Sequence, residues 1–189
     1  MGEFRMPPGQ RPSARLYPIS VLGKLKDINI ETYKLRITGL VENPKEIFLK
    51  DVFNMPKEIK EFDIHCVDGW SYLGGKFGGV YPKMLFEGVK VLPNGKFVMV
   101  KCIDGYSTDL PLDFFLSTDA FLAYEMDGRA LDIGNGYPLR LVVNGKYAYK
   151  DAKWPVEFEI IDRDLPGFWE KKGYSKNADI YKNERFENR

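Results

Sequence analysis

Tyr33-Lys34-Leu35-Arg36-Ile37-Thr38-Gly39-Leu40-Val41 alternates apolar and polar side chains over its first six residues. Successive strand side chains point to opposite faces, so Tyr33, Leu35 and Ile37 share one face while Lys34, Arg36 and Thr38 share the other. This is the pattern of a half-exposed strand, closed by Gly39 and the Glu42-Asn43-Pro44 turn. Working outward, residues 156–161 repeat the alternation, and residues 62–67 and 139–143 are short apolar runs of strand length. Asn94-Gly95 predicts a hairpin joining residues 89–92 to residues 96–103. Asn144-Gly145 predicts a further turn, from which residues 147–149 pair back. Residues 49–55, 82–89 and 110–116 have room only for short helices, the second with Pro82 at a first helical position. The sum is an α+β fold, mainly β, with short helices in its connections.

Composition agrees with that class. The 189 residues fit one domain, and 44% hydrophobic with 29% charged residues leaves enough apolar material for a core. Eighteen Gly and 12 Pro favour turns over long helices. A net charge of +1 provides no global field for nucleic acid or an anionic membrane surface. No run approaches the roughly 20 apolar residues of a membrane helix, so no membrane insertion is expected. Residues 1–12 are polar and Pro-rich, with neither an apolar segment before a cleavage site nor a twin-Arg pair. The expectation is a cytoplasmic chain with a flexible arm over residues 1–15 and a single domain over residues 16–189. From Glu170 the chain is charged but keeps Tyr174, Ile180, Tyr181 and Phe186, which predicts a tail lying on the surface.

The chemistry must come from few residues, because there are only two Cys and one His. A structural zinc site needs four ligands, and Cys66, Cys102 and His65 do not supply them. His65 and Cys66 are adjacent in a strand and face opposite ways, which argues against a His-activated thiol hydrolase. Taken alone, Cys66 is either a small buried hydrophobe or a soft metal ligand. One thiolate holds a metal only if an organic cofactor brings further sulfurs. Such a cofactor would carry phosphate, which calls for Arg, Lys and backbone N–H donors. Arg140, Lys150, Lys153 and the Asn135-Gly136 turn offer them, although Lys and Arg on strands equally serve solubility.

Read together, the blocks resemble the sulfite-oxidase-like molybdopterin oxidoreductases. The resemblance runs from about Leu16 onward, through the strand at Tyr33, then His65-Cys66-Val67-Asp68-Gly69-Trp70-Ser71 and Asp104-Gly105-Tyr106-Ser107-Thr108-Asp109-Leu110-Pro111-Leu112. It continues through Leu122-Ala123-Tyr124-Glu125-Met126-Asp127-Gly128, Gly136-Tyr137-Pro138-Leu139-Arg140-Leu141-Val142-Val143, Tyr149-Lys150-Asp151-Ala152-Lys153-Trp154, Gly167-Phe168-Trp169-Glu170 and Gly173-Tyr174. Each block is weak alone, and the colinear set is specific. It implies a sulfite-oxidase-type molybdopterin-binding fold with mixed sheets, and a molybdenum–molybdopterin cofactor with one pterin dithiolene. Cys66 becomes the molybdenum ligand. Cys102 lies against the pterin, Asn135 and Arg140 contact the cofactor, and Lys150, Asp151, Ala152 and Lys153 wrap its phosphate, with Asp151 acting through its backbone. His65 joins the cofactor-contacting set, and Tyr106 and Asp104, with Cys66, are the candidate catalytic residues. Asp104 also reads simply as a turn residue.

The resemblance further implies oxygen-atom transfer to or from a small substrate, one that could contain sulfur, and a separate electron-transfer partner, since no c-type haem motif is present. Two departures stand out. Trp70 occupies the neighbourhood where sulfite oxidases carry an Arg that holds the anionic substrate. Ser20-Val21-Leu22-Gly23 replaces a stretch whose side chains touch the cofactor in many members. The Trp70 departure tilts the expectation to a substrate other than sulfite, or to reduction. A non-catalytic binding or scaffold module retaining the fold is the alternative, and Cys66 together with Arg140 and Lys153 argues against it.

Overall fold

The structure, a computed structural model, describes residues 6–18, 22 and 28–187. Ser20, Val21 and Gly23 lie outside the described residues, as do residues 1–5 of the expected arm.

Two mixed sheets form the framework. In the first, β5 (Trp70–Val80) is central. It pairs in parallel with β1 (Arg11–Ser13) and antiparallel with β4 (Glu58–His65) and β8 (Ala120–Met126). β8 continues the sheet to β10 (Arg140–Val143) and carries the two-residue β9 (Arg129–Ala130). The second sheet runs β3 (Lys45–Phe48), β2 (Lys34–Gly39), β11 (Pro155–Ile161), β6 (Phe97–Cys102), β7 (Ser107–Pro111). There β2 and β11 are parallel and the other pairs antiparallel. Three one-turn helices, α1 (Leu49–Phe53), α2 (Pro82–Leu85) and α3 (Leu112–Phe115), sit in the connections.

The period-2 reading of β2 holds: Leu35 and Ile37 are fully buried. They meet Val98, Val100, Phe158 and Ile160 of the same sheet and Leu122, Leu141 and Val143 of the other, so the main core lies between the sheets. The first sheet buries its second face as well, where Phe121, Ala123 and Val142 pack with Phe62, Ile64 and Phe77. A strand covered on both faces reads as an unbroken apolar run, and all four residues of β10 are buried. By the same alternation, Arg140 shares a face with Val142 and leaves the main core.

Four expectations are corrected. Arg11–Ser13, read as part of a flexible arm, is a strand, because the open edge of β5 at Trp70 supplies its ladder. Residues 89–92 do not form a hairpin with residues 96–103. β6 already has β11 and β7 on its two sides, so Val91 bridges Val41 instead. The hairpin here is β6–β7, across Asp104-Gly105. Residues 147–149 do not return along β10: the Ala148 amide donates to the His65 carbonyl at 2.8 Å, and the Tyr147 amide to the Ala178 carbonyl at 2.9 Å. Finally, the tail is not wholly superficial, since Ala178 and Ile180 are fully buried against Tyr147 and Tyr149.

Candidate functional site

A cavity of about 360 Å³ opens where β4, the β6–β7 turn, the start of β10 and the chain beyond it converge. Cys66 follows directly on β4. The turn 66–70 returns to β5, held by the Cys66 amide on the Trp70 carbonyl at 2.8 Å and the Gly69 amide on the Cys66 carbonyl at 3.0 Å. This places Cys66 on the cavity wall while His65 turns the other way. Burial pushes the Cys66 thiol up to about 11; the Asp68 amide and Arg185 oppose the rise, and the Asp68 carboxylate adds to it. A thiol so raised is a poor free nucleophile at neutral pH and becomes a thiolate when a cation takes the place of its proton.

Arg140, Asp151 and Lys153 line the same cavity. β10 begins at Arg140, and an isolated bridge sets Arg140 beside Lys153. Gly136 fits between them: its φ is +110°, and a Cβ there would stand 2.8 Å from Arg140 Cβ and 3.4 Å from Lys153 Cγ. The Arg140 guanidinium donates to the Asn135 carbonyl at 3.1 Å and approaches the Asp151 carboxylate at 3.5 Å. Asp151 also accepts the Val143 amide at 3.0 Å. Burial works against both charges. It pushes Asp151 up to about 7 against the pull of Arg140, and lowers Arg140 against the support of Asp151. Burial likewise brings Lys153 down to about 7, with Arg140 adding to the fall. The Lys153 ammonium donates to the Gly134 carbonyl.

Two buried polar atoms have no hydrogen-bond partner: Arg140 Nε, on a wall residue, and Asn135 Oδ1, on a residue that is not itself on the wall. Such orphans cost about 1–3 kcal/mol each, and they stand on the two residues expected to touch a polar ligand. Among the described residues, no three His, Cys, Asp or Glu side chains converge to hold a metal. The protein offers a single soft sulfur together with a buried cationic pair, a donor set that matches a metal whose other sulfurs and phosphate arrive on an organic cofactor.

Asp104 and Tyr106 also line the cavity. The Asp104 carboxylate accepts the Tyr106 amide at 3.0 Å, so it serves the β6–β7 turn as well. The Tyr106 hydroxyl donates to the Tyr149 carbonyl.

Other expected contacts are not on the wall. Cys102 is buried in the main core, one turn away. His65 Nδ1 lies 2.7 Å from Ser71 Oγ, and burial holds its pKa below the ordinary value. Ala152 is fully buried, its carbonyl accepting the Leu141 amide at 2.7 Å. Lys150 departs most from its expected role: its ammonium is 2.6 Å from Glu170 and 3.3 Å from Asp109, with no solvent exposure. The amides of Lys150, Asp151 and Ala152 donate to the carbonyls of Tyr147, Ala148 and Lys150. Of the stretch 150–153, only Asp151 and Lys153 reach the cavity wall.

Beyond Trp70, which the sequence already set at the substrate side, the sequence reading missed an aromatic wall: Tyr17, Tyr149, Trp154, Trp169 and Tyr174. Tyr17 meets Trp70 edge-on at 5.1 Å between ring centres, and Trp169 meets Tyr174 at 4.7 Å. Trp154 holds a left-handed φ of +56°, with its indole N–H on the Tyr137 carbonyl at 2.8 Å. Such backbone strain in a bulky residue persists only where the surroundings fix it. The 14% aromatic content and the Gly167-Phe168-Trp169 and Gly173-Tyr174 blocks were the available signals.

The family profile described as the oxidoreductase molybdopterin-binding domain matches residues 22–169. The chain is 34% identical over 183 residues to the uncharacterized oxidoreductase YuiH of Bacillus subtilis, covering 96% of this chain and 92% of that protein. It is 26% identical to a sulfite oxidase of Arabidopsis thaliana and 28% identical to MsrP of Campylobacter jejuni, named as the catalytic subunit of a protein-methionine-sulfoxide reductase. Each match covers 77% of this chain, but the chain spans only 46% and 54% of those two proteins. Among solved structures, the sulfane dehydrogenase SoxCD from Paracoccus pantotrophus superposes with a TM-score of 0.68 at 23% identity, over 80% of this chain and 43% of that one. That likeness shows a shared fold.

Proposed function

The chain belongs to the oxidoreductase molybdopterin-binding domain family, as a molybdopterin-dependent oxidoreductase of the sulfite-oxidase type, and from that premise we propose that Cys66 is its molybdenum ligand and that it transfers an oxygen atom to or from a small, uncharged substrate. The observation that carries the reading is the presence of Cys66 with Arg140, Asp151 and Lys153 on the wall of one cavity.

Cys66 Sγ would hold the metal, and the Arg140 guanidinium and Lys153 ammonium would face the anionic part of the cofactor. The unpartnered Asn135 Oδ1 and Arg140 Nε suit a polar ligand with both donors and acceptors. When bound, the cofactor supplies two-electron redox chemistry at the metal. Asp151, on the same wall, holds Arg140 through its carboxylate at 3.5 Å. Tyr106, with its hydroxyl spent on the Tyr149 carbonyl, packs the wall and is not poised to give up a proton, since burial raises it well above the ordinary value.

The neutral-substrate reading rests on the aromatic wall. Trp70 presents an indole and Tyr17 packs on it, and an indole has no charge to draw an anion from water. Substrates with an uncharged S- or N-oxide, or their reduced forms, fit such a wall. Electrons would be exchanged with a separate protein, a reading in keeping with the naming of one relative as a catalytic subunit.

The test is molybdenum and pterin analysis of protein made under ample molybdenum supply, followed by turnover with a panel of oxygen-atom donors and acceptors. Near-stoichiometric loading and activity on a neutral substrate are expected. Full molybdenum retention in Cys66→Ala would refute the ligand assignment.

A further inference from the structure

We propose that the segments around Gln10 and Arg185 form a clasp that places the Cys66 thiol on the cavity wall, with Gln10 and Arg185 as its positioning residues. This rests on the reading of Cys66 as a ligand, and it adds residues that none of the cofactor-contacting blocks contains.

The turn 66–70 closes on itself through two backbone hydrogen bonds, with Asp68 against the thiol itself. Its other carbonyl contacts come from far along the chain. From the N-terminal side, Gln10 Nε2 donates to the Cys66 carbonyl at 3.0 Å, across 56 residues. Gln10 Oε1 accepts from Ser71 Oγ at 2.9 Å, and Ser71 Oγ lies 2.7 Å from His65 Nδ1. One side chain therefore ties down Cys66 and, through Ser71, both neighbouring strands. The Arg11 amide adds a bond to the Gly69 carbonyl at 2.9 Å. Gly69 has a φ of +93°, and a Cβ there would stand 2.9 Å from the Gly9 carbonyl oxygen, so the two backbones are in direct contact.

From the other side comes Arg185. Its guanidinium donates to the Val67 carbonyl, across 118 residues, to the Gly9 carbonyl at 3.1 Å, and at the long limit of 3.4 Å to that of Pro8. Its Nε donates to Asn183 Oδ1 at 2.9 Å, and its charge sits 5.1 Å from the centre of the Tyr147 ring. The planar fork thus joins the N-terminal segment, the residue after the thiol and the tail in one plane of donors, and a charged donor strengthens each bond. Docking of Arg185 on the turn and placement of the thiol become one event. A metal centre held by Cys66 would be retained while the clasp is closed and released when Arg185 leaves the turn.

The test uses the full chain with Arg185→Gln, Arg185→Lys and Gln10→Ala. Asn177→Ala is the control, because Asn177 braces the tail through Glu184 at 2.6 Å and Lys146 at 3.1 Å without touching the turn. In protein made without molybdenum, Cys66 alkylation by iodoacetamide is read by peptide mass against Cys102, and amide exchange is followed over residues 67–70. In molybdenum-supplied protein, metal retention through gel filtration and the Mo(V) spectrum are read. Arg185→Gln and Gln10→Ala are expected to speed Cys66 alkylation at least fivefold and to shift the spectrum, Arg185→Lys to fall between, and Asn177→Ala to stay within twofold. Equal effects of Asn177→Ala and Arg185→Gln would overturn the clasp, as would wild-type alkylation and exchange in both Arg185→Gln and Gln10→Ala. If Arg185→Gln does not fold, Gln10→Ala and Arg185→Lys decide. A wild-type chain that takes up no molybdenum would refute the ligand reading instead, while the thiol and exchange measurements still judge the clasp.

Discussion

The Lys150 ammonium lies 2.6 Å from the Glu170 carboxylate, and neither side chain has any exposed surface. Asp109 lies on the same ammonium at 3.3 Å and Thr108 donates to Glu170 at 2.7 Å. Removing one partner of such a buried group leaves uncompensated charge, at about 3–5 kcal/mol. Lys150→Met is therefore expected to lose that much stability by urea unfolding. Lys153→Met removes an amine that burial already disfavours as a cation, and it should stay within about 1 kcal/mol. Pterin retention should rank the other way once the Lys150 variant is compared at a temperature where it is folded. Equal retention losses in the two would mean that both lysines meet the cofactor.

The two cysteines should separate as cleanly. Cys66→Ser is expected to abolish molybdenum retention while leaving the fold intact. Cys102→Ala, which trims a residue buried in the main core, should keep the metal and lose about 1–2 kcal/mol of stability. Metal analysis after gel filtration, paired with thermal unfolding, reads both effects. Loss of metal from the Cys102 variant at full stability would place that thiol against the cofactor after all.

These contrasts mark where the sequence was informative. Leu35 and Ile37 announced their buried face because a half-exposed strand must alternate. Cys66 and Arg140 were legible through their blocks, and both line the cavity. Lys150 was not, because a Lys in the connection between two strands looks the same whether it meets a phosphate or the carboxylate of Glu170. The false hairpin at Asn94-Gly95 has a related cause. A turn dipeptide is a local signal, whereas one edge of β6 was claimed by β7, the next strand, and the other by β11 from far along the chain. Gln10 and Arg185 carry no motif, and only the folded turn 66–70 gives them meaning.

The cavity should respond to pH near neutrality. Burial sets Lys153 at about 7 from an ordinary 10.5, and Asp151 at about 7 from an ordinary 3.8. Between pH 7 and 10.5 the unfolded chain holds the Lys153 proton that the folded chain has lost, so stability rises with pH there. Between pH 3.8 and 7 the folded chain holds the Asp151 proton that the unfolded chain has lost, so stability falls as pH rises. In protein made without molybdenum, both contributions are least favourable around pH 7. Stability against pH is expected to dip there, and the dip should flatten in the double variant Lys153→Met with Asp151→Asn. Anion binding follows the same charges. Raising pH through 7 removes one positive charge and adds one negative, so inorganic pyrophosphate should bind about tenfold more weakly at pH 8 than at pH 6. Calorimetric affinities that are flat across that range would contradict the assignment of Lys153 and Asp151 to the anion subsite.

Substrate charge gives the sharpest test of the aromatic wall. Trp70 shares the cavity with Cys66 and is packed by Tyr17 at 5.1 Å between ring centres. With an indole there, a neutral S- or N-oxide should be turned over in preference to sulfite. Trp70→Arg puts a guanidinium at the same wall, and its attraction for an anion should grow as water is displaced. The kcat/KM ratio of sulfite to the neutral substrate is expected to rise at least tenfold, about 1.4 kcal/mol of relative transition-state binding. The gain should shrink with added salt, as an electrostatic effect must. Cofactor content has to be measured alongside, because losing the Tyr17 contact alone would lower both rates and leave the ratio unchanged. An unchanged ratio at full cofactor loading, or a wild-type enzyme that already prefers sulfite, would remove Trp70 from substrate selection.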